Sequence, residues 1–106
     1  MSRYDLLGKD AAIEKIIRFV QTLEPARIWD SWYVGITDDP IRRLYEEHNA
    51  SYTKSIFVST DTPGTARAVE KYLISHYGMA GGSGGSENPR AVYAFKKLKD
   101  TEPPAK

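Results

Sequence analysis

The first regular hydrophobic pattern along the chain is that of an amphipathic helix over residues 10–23. Its apolar side chains recur every three or four residues, at Ile13, Ile16, Ile17 and Val20. This spacing places them on one face of a helix. Asp10 is predicted to cap the N-terminus of the helix. The helix is predicted to end at Glu24, because the residue before a proline avoids the helical region.

Three later stretches contain the aromatic and β-branched residues that are typical of strands. They cover residues 32–36, 55–59 and 91–97. With the helices predicted before and between them, the order of elements is helix, strand, helix, strand, helix, strand. Because the strands are short and few, this order favours an α+β domain. We expect a small mixed or antiparallel three-stranded sheet flanked by about three helices.

The second and third helices begin with the same signal, a cap residue followed by a proline at the first helical position. Asp38-Asp39-Pro40 is predicted to start a helix that runs to about His48, and Thr62-Pro63 one that runs to about Tyr77. Gly78 follows the third helix and is a natural residue to end it, because glycine adopts the left-handed conformation easily.

Length and composition limit the remaining possibilities. The 106 residues predict a single domain over residues 1–99, a flexible loop over Gly81–Ser86 and a disordered tail over residues 100–106. The chain has no cysteine, which excludes disulfides and Cys-based zinc sites. No apolar run is long enough to span a bilayer, and the N-terminus lacks the apolar region of a signal peptide, so we expect a cytoplasmic protein without membrane contact.

Glu70 is the polar residue whose position is hardest to explain by packing alone. The apolar stripe of the third helix consists of Ala66, Val69, Leu73 and Tyr77, and Glu70 falls within it on a helical wheel. A carboxylate directed at a core is unfavourable unless it is paired or binds a cation. Glu70 is therefore either a residue at the edge of the stripe with an arginine partner, or a metal ligand or general base in a cleft.

Other candidate residues lie around the second helix. Arg42 and Arg43 follow a strand end and a helix N-terminus, where phosphate binding is favoured, although most surface arginines are simply solvated. His48 lies on the apolar stripe of that helix, as a hydrogen-bonded core residue or as a catalytic one. Tyr33 lies on a strand, where packing is the ordinary role of a tyrosine.

Together these residues resemble the second half of the GIY-YIG nuclease signature. The resemblance is carried by the strand Trp32–Thr37, by the helix start Asp39–Leu44 and by Glu47-His48-Asn49. In that family an arginine follows the strand tyrosine by ten residues, as Arg43 follows Tyr33. A histidine or tyrosine then stands near the helix end, and a later helix carries one glutamate.

The resemblance implies a metal-dependent DNA endonuclease that nicks one strand per active site. Glu70 would bind one Mg²⁺ or Mn²⁺ ion, and Arg43 would hold the phosphate oxygens. Tyr33 would be the general base that accepts the proton of the attacking water. His48 would orient that water or Tyr33.

DNA is the partner that the resemblance implies. Arg42, Asn88, Arg90, Lys96 and Lys97 are the predicted contacts to DNA outside the catalytic residues. Since the net charge is only +1, any DNA-binding face must be local. Cutting of both strands, or sequence specificity, would require a second copy of the chain or a partner protein.

One element of the family pattern is missing. The Gly-Ile-Tyr strand expected about ten residues before Tyr33 is absent, and a predicted helix stands in its place. Tyr4, Tyr45 and Tyr52 are the tyrosines considered as substitutes for the tyrosine of that strand. Two alternatives to a nuclease therefore stay open. One is a non-catalytic nucleic-acid-binding or regulatory module on the same fold, and the other is a protein-interaction domain.

Overall fold

A computed structural model describes residues 6–24, 29–82 and 88–98 of the chain. Their main elements are α1 (Lys9–Leu23), β1 (Trp32–Thr37), a short helix (Arg42–Glu47), β2 (Ser55–Ser59), α2 (Pro63–Tyr77), β3 (Ala80–Gly81) and β4 (Ala91–Lys96). The predicted α+β class is confirmed. Within these ranges, no helix has the length and apolarity that crossing a bilayer requires.

The four strands form one mixed sheet in the order β2-β4-β1-β3. β4 lies between β2 and β1 and is antiparallel to both, whereas β3 pairs with β1 in parallel. The prediction of three strands is therefore wrong, because the sheet has a fourth, the short strand β3. Gly81, which was expected to belong to a loop, belongs to β3. It has φ 147°, and a side chain there would collide with the carbonyl group of Val34.

The two faces of the sheet carry different cores. On one face, α1 and α2 cover the apolar side chains of the central strands, among them Trp32, Val34, Val92 and Ala94. The opposite face holds a second, mainly aromatic cluster of buried residues: Tyr33, Leu44, Ala50, Tyr93 and Phe95. Along β1 and β4, successive side chains point to opposite faces of the sheet. The second face is covered by the segment that contains the Arg42–Glu47 helix.

Two helix starts differ in how well the sequence predicted them. α2 begins as expected, with Thr62 as the cap and its hydroxyl accepting a hydrogen bond of 3.0 Å from the Thr65 N–H. α1 begins at Lys9, and the prediction of Asp10 as its cap is wrong. The Ala12 N–H donates to the carbonyl oxygen of Gly8 at 3.0 Å, so the first helical turn already closes on Gly8.

The ends of the other elements follow the predictions closely. α2 ends at Gly78, which has the left-handed φ of 79°, and β2 has the predicted bounds. α1 ends at Leu23, immediately before Glu24. The predicted loop beyond Gly82 falls largely on residues 83–87, and these lie outside the described residues, as does the tail over residues 100–106.

Candidate active site

The aromatic face of the sheet brings together residues that are far apart in the sequence. The ring of His48 lies 5.4 Å from that of Tyr33, 5.5 Å from that of Tyr93 and 4.8 Å from that of Phe95, between centroids. Tyr33 also stacks on Phe95 at 5.3 Å. We call Tyr33, His48, Tyr93 and Phe95 the aromatic cluster. It unites β1, β4 and the end of the short helix.

The antiparallel pairing of β1 with β4 determines how these rings approach each other. Tyr33 stands opposite Phe95 and Gly35 stands opposite Tyr93. The Tyr93 ring lies over Gly35 so closely that a Cβ atom at Gly35 would collide with the ring and its hydroxyl. Glycine at this position therefore allows the close approach of a large side chain from the neighbouring strand.

The short helix places His48 against Tyr93. Its turns are wide, of the π type, and the His48 N–H donates to the carbonyl oxygen of Arg43 at 3.0 Å. The His48 side chain is only 3% exposed, and its Nε2 lies 3.0 Å from the hydroxyl oxygen of Tyr93. A single-turn π-helix is rare and is often found at functional sites.

Arg43 approaches the same hydroxyl from the first turn of the short helix. Its guanidinium lies close enough to the Tyr93 hydroxyl for each group to affect the pKa of the other, and its NH1 donates to Glu47 Oε1 at 2.8 Å. Its Nε is buried and has no hydrogen-bond acceptor among the described residues. A guanidinium has five N–H donors in a planar fork that suits phosphate.

Glu47 forms ion pairs with both arginines of the short helix. Its Oε1 pairs with Arg43, and its Oε2 pairs with Arg42 NH1 at 2.6 Å. The hydrogen bond from Arg43 lowers the pKa of Glu47, and it raises the pKa of Arg43. One carboxylate therefore occupies the position between two guanidinium groups where an anionic ligand would bind.

Tyr93 is held as a neutral phenol at this point of the site. Burial raises its pKa, the nearby Tyr33 raises it further, and Glu70 adds to the effect, whereas Arg43 opposes it. A tyrosine hydroxyl can accept a hydrogen bond on its oxygen and donate its own proton to another acceptor. His48 Nε2 lies within hydrogen-bonding distance of that proton.

Glu70 lies on α2 and is half-buried, as its place in the apolar stripe predicted. Burial raises the pKa of its carboxyl group, and its charge is close enough to affect Tyr93. No group of three or more His, Cys, Asp or Glu residues comes together within the described ranges. A single carboxylate still fits Mg²⁺, because that ion keeps several water ligands and is often bound by one or two carboxylates together with a substrate phosphate.

The five predicted DNA contacts have different surroundings. Arg42 forms an ion pair with Glu47, and Asn88, Arg90 and Lys97 are exposed and precede or follow β4 in the chain. Lys96 shares the helix-covered face of the sheet, where its ammonium group binds Glu24 and donates to the Ser31 hydroxyl at 3.1 Å. Lys96 is therefore directed away from the candidate site.

Tyr93 is the residue of the site that sequence reasoning missed. The stretch 91–97 was recognised as a strand, but its tyrosine had no assigned role. The available signal was Gly35, because an isolated glycine inside a strand indicates close approach by another group. Of the tyrosines predicted as substitutes, Tyr45 packs against the buried cluster that contains Leu44 and Tyr93, and Tyr52 stacks on Tyr45. Tyr4 lies outside the described residues.

Comparisons with known proteins add no assignment. No family model, no curated protein and no solved structure matches the chain. The function of the site is therefore inferred from its own residues and from the sequence resemblance.

Proposed function

We propose that this protein is a metal-dependent DNA endonuclease of the GIY-YIG type, which hydrolyses one phosphodiester bond per active site. The observation that carries the proposal is the convergence on the Tyr93 hydroxyl. His48 Nε2 lies 3.0 Å from it, the Arg43 guanidinium interacts with it electrostatically, and Tyr33 lies in ring contact with His48. Tyr33, Arg43 and His48 are three of the four catalytic residues that the sequence resemblance selects, and they lie around Tyr93. The fourth, Glu70, lies on α2 and affects the pKa of Tyr93 through its charge.

The position of β4 supports the proposal further. A strand placed about ten residues before β1 would be expected to pair with it as an antiparallel hairpin. In this chain the antiparallel neighbour of β1 is β4, which comes from the other end of the sequence. Tyr93, on β4, is in ring contact with Tyr33 and His48. A C-terminal strand thereby substitutes for the missing Gly-Ile-Tyr strand and its tyrosine.

Each residue has a definite task in the proposed reaction. Arg43 binds a non-bridging phosphate oxygen in place of the Glu47 carboxylate and stabilises the charge that develops there. Tyr33 accepts the proton of the attacking water, whose oxygen forms the new bond to phosphorus while the bond to the leaving oxygen breaks and that oxygen takes up a proton from solvent. Tyr93 remains neutral and, with His48, holds Arg43 in orientation. Glu70 would hold a Mg²⁺ or Mn²⁺ ion, which would supply Lewis acidity when bound.

A non-catalytic nucleic-acid-binding module is the second candidate. The double ion pair of Glu47 with Arg42 and Arg43 favours it, because two arginines whose charge is partly offset by a carboxylate form a weaker phosphate site than two free arginines. On this alternative the protein binds DNA but leaves the strand intact.

The test is relaxation of supercoiled plasmid by the purified chain with Mg²⁺ or Mn²⁺. Wild type is compared with Glu70→Ala and Arg43→Ala. Arg18→Ala is the matched control, because Arg18 is also ion-paired but lies 75% exposed on α1. We expect wild type and the control to convert supercoiled plasmid to the nicked form, and both site variants to lose at least about a hundredfold in rate.

The other outcomes separate the two candidates. Equal nicking by wild type and Glu70→Ala would remove Glu70 from the metal site. If no protein nicks DNA over a range of metal and salt concentrations, the nuclease proposal fails. A titration of labelled DNA at low salt then distinguishes a binding module, which retains affinity that falls with added salt, from a domain that has no affinity for DNA.

A further inference from the structure

Tyr52 has the largest exposed fraction, 78%, of the large apolar side chains in the described ranges. It lies in a single helical turn, Tyr52–Lys54, directly before β2. The Lys54 N–H closes this turn with a hydrogen bond of 3.1 Å to the Ser51 carbonyl oxygen, and the hydroxyls of Ser51 and Thr53 lie 3.1 Å apart. The exposed ring therefore belongs to a turn that is held by its own hydrogen bonds. Because the turn is already ordered, less conformational entropy is lost when a ligand binds.

The Tyr52 ring is also continuous with the candidate site. It stacks on Tyr45, with 4.3 Å between the ring centroids and 26° between the planes. Tyr45 is fixed in turn, because its hydroxyl lies 2.9 Å from the Ser55 hydroxyl and its side chain packs against the cluster that contains Tyr93. The stacked pair extends the aromatic side of the sheet from the buried cluster to the surface.

We propose that Tyr52 is a stacking platform for an unpaired nucleobase of the substrate, next to the phosphate held by Arg43. This inference rests on the proposed function and specifies its substrate class as single-stranded or locally unpaired DNA. Every base has a flat π face, so an exposed aromatic ring binds bases of any sequence. Lys54 is exposed in the same turn and supplies a cation for the phosphate backbone.

Affinity for a fluorescein-labelled single-stranded oligothymidylate of roughly twelve nucleotides tests the platform. Anisotropy titrations at low salt compare the full chain with Tyr52→Ala, Tyr52→Phe and Leu6→Ala. Leu6 is the matched control, since it is 54% exposed and adjoins Leu7, which pairs with Thr60 beyond the other end of β2. We expect Tyr52→Ala to weaken binding by about 5- to 150-fold, the range for loss of one stacked base, and the two other variants to bind like wild type.

A second variant, Tyr52→Trp, keeps the platform and reports on stacking directly. Its added tryptophan fluorescence should be quenched by the oligothymidylate and not by an abasic oligonucleotide of the same length. Wild-type affinity of Tyr52→Ala, or equal quenching by both oligonucleotides, would overturn the inference. If wild type nicks plasmid while either of these results is found, only the stacking inference fails. If base-dependent quenching occurs without nicking, stacking stands and the catalytic proposal fails.

Discussion

Replacement of Tyr93 by phenylalanine isolates the hydroxyl group on which the candidate site converges. The ring is retained, so its contacts with Tyr33 and Phe95 are preserved. The variant removes the partner of His48 Nε2 and the hydroxyl with which the Arg43 guanidinium interacts electrostatically. His48 is buried and Tyr93 is 2% exposed, so little water is expected to replace the lost hydroxyl.

The expected loss of stability follows from this geometry. A buried polar group without its partner costs about 1–3 kcal/mol. The side chain of Arg43 is 28% exposed and can find water, so the buried His48 accounts for most of the loss. We expect Tyr93→Phe to lower the free energy of unfolding by about 2 kcal/mol. For a domain of this size, that corresponds to a fall of roughly 8–16 °C in Tm.

Thermal unfolding followed by circular dichroism measures this change, and Tyr52→Phe is the control. Tyr52 is 78% exposed, and removal of its hydroxyl should alter stability by less than about 0.5 kcal/mol. A double-mutant cycle of Tyr93→Phe with His48→Leu should give a coupling energy of about 1–2 kcal/mol, because the second replacement removes the stranded partner. A Tm for Tyr93→Phe within about 2 °C of wild type would refute the proposed buried hydrogen bond.

Three further predictions concern stability. Gly35→Ala should cost about 1–3 kcal/mol, measured by urea unfolding, because the new methyl group collides with Tyr93; unchanged stability would disprove this close approach. Thr62→Ala should cost about 1 kcal/mol in the same assay, since the cap bond to the Thr65 N–H is lost, and a neutral effect would show that the cap contributes nothing. Burial raises the pKa of Glu70 above its ordinary 4.5, so the charged carboxylate destabilises the fold above the raised pKa and has no effect below the ordinary value. With a chelator present, Glu70→Gln should therefore be more stable than wild type at neutral pH, and urea unfolding should show the difference closing as the pH falls to about 4; a difference independent of pH would contradict the burial of a charged Glu70.

Local signals in the sequence determined most of the secondary structure. Thr62-Pro63 at one end of α2 and Gly78 at the other are cap signals, and these act within a single turn of chain. The burial of Ala66, Val69 and Leu73 follows from helical spacing alone. The same spacing placed Glu70 at the edge of the core, where the structure has it half-buried.

The wide turns of the short helix and the strand β3 could not be predicted from the local sequence, because they depend on tertiary contacts. Ala80–Gly81 is too short and too glycine-rich to be recognised as a strand, and it forms because β1 offers an unpaired edge. The Arg42–Glu47 segment was predicted to be a helix, but its wide turns were not predicted. Wide turns lengthen the hydrogen-bonded repeat from four to five residues, and they set the angle at which His48 meets the sheet.

In the candidate site, some residues could be predicted from local sequence and one depended on tertiary structure. The sequence selected Tyr33, Arg43 and His48 because these residues lie within one short stretch and their spacing can be counted. Tyr93 could not be found in that way, because it lies 60 residues from Tyr33 by the numbering of the chain. It reaches the site only through the pairing of β4 with β1, whose register places Tyr93 opposite Gly35. Spacing along the chain determines which residues share an element, whereas long-range strand pairing decides which elements meet and which residue completes the site.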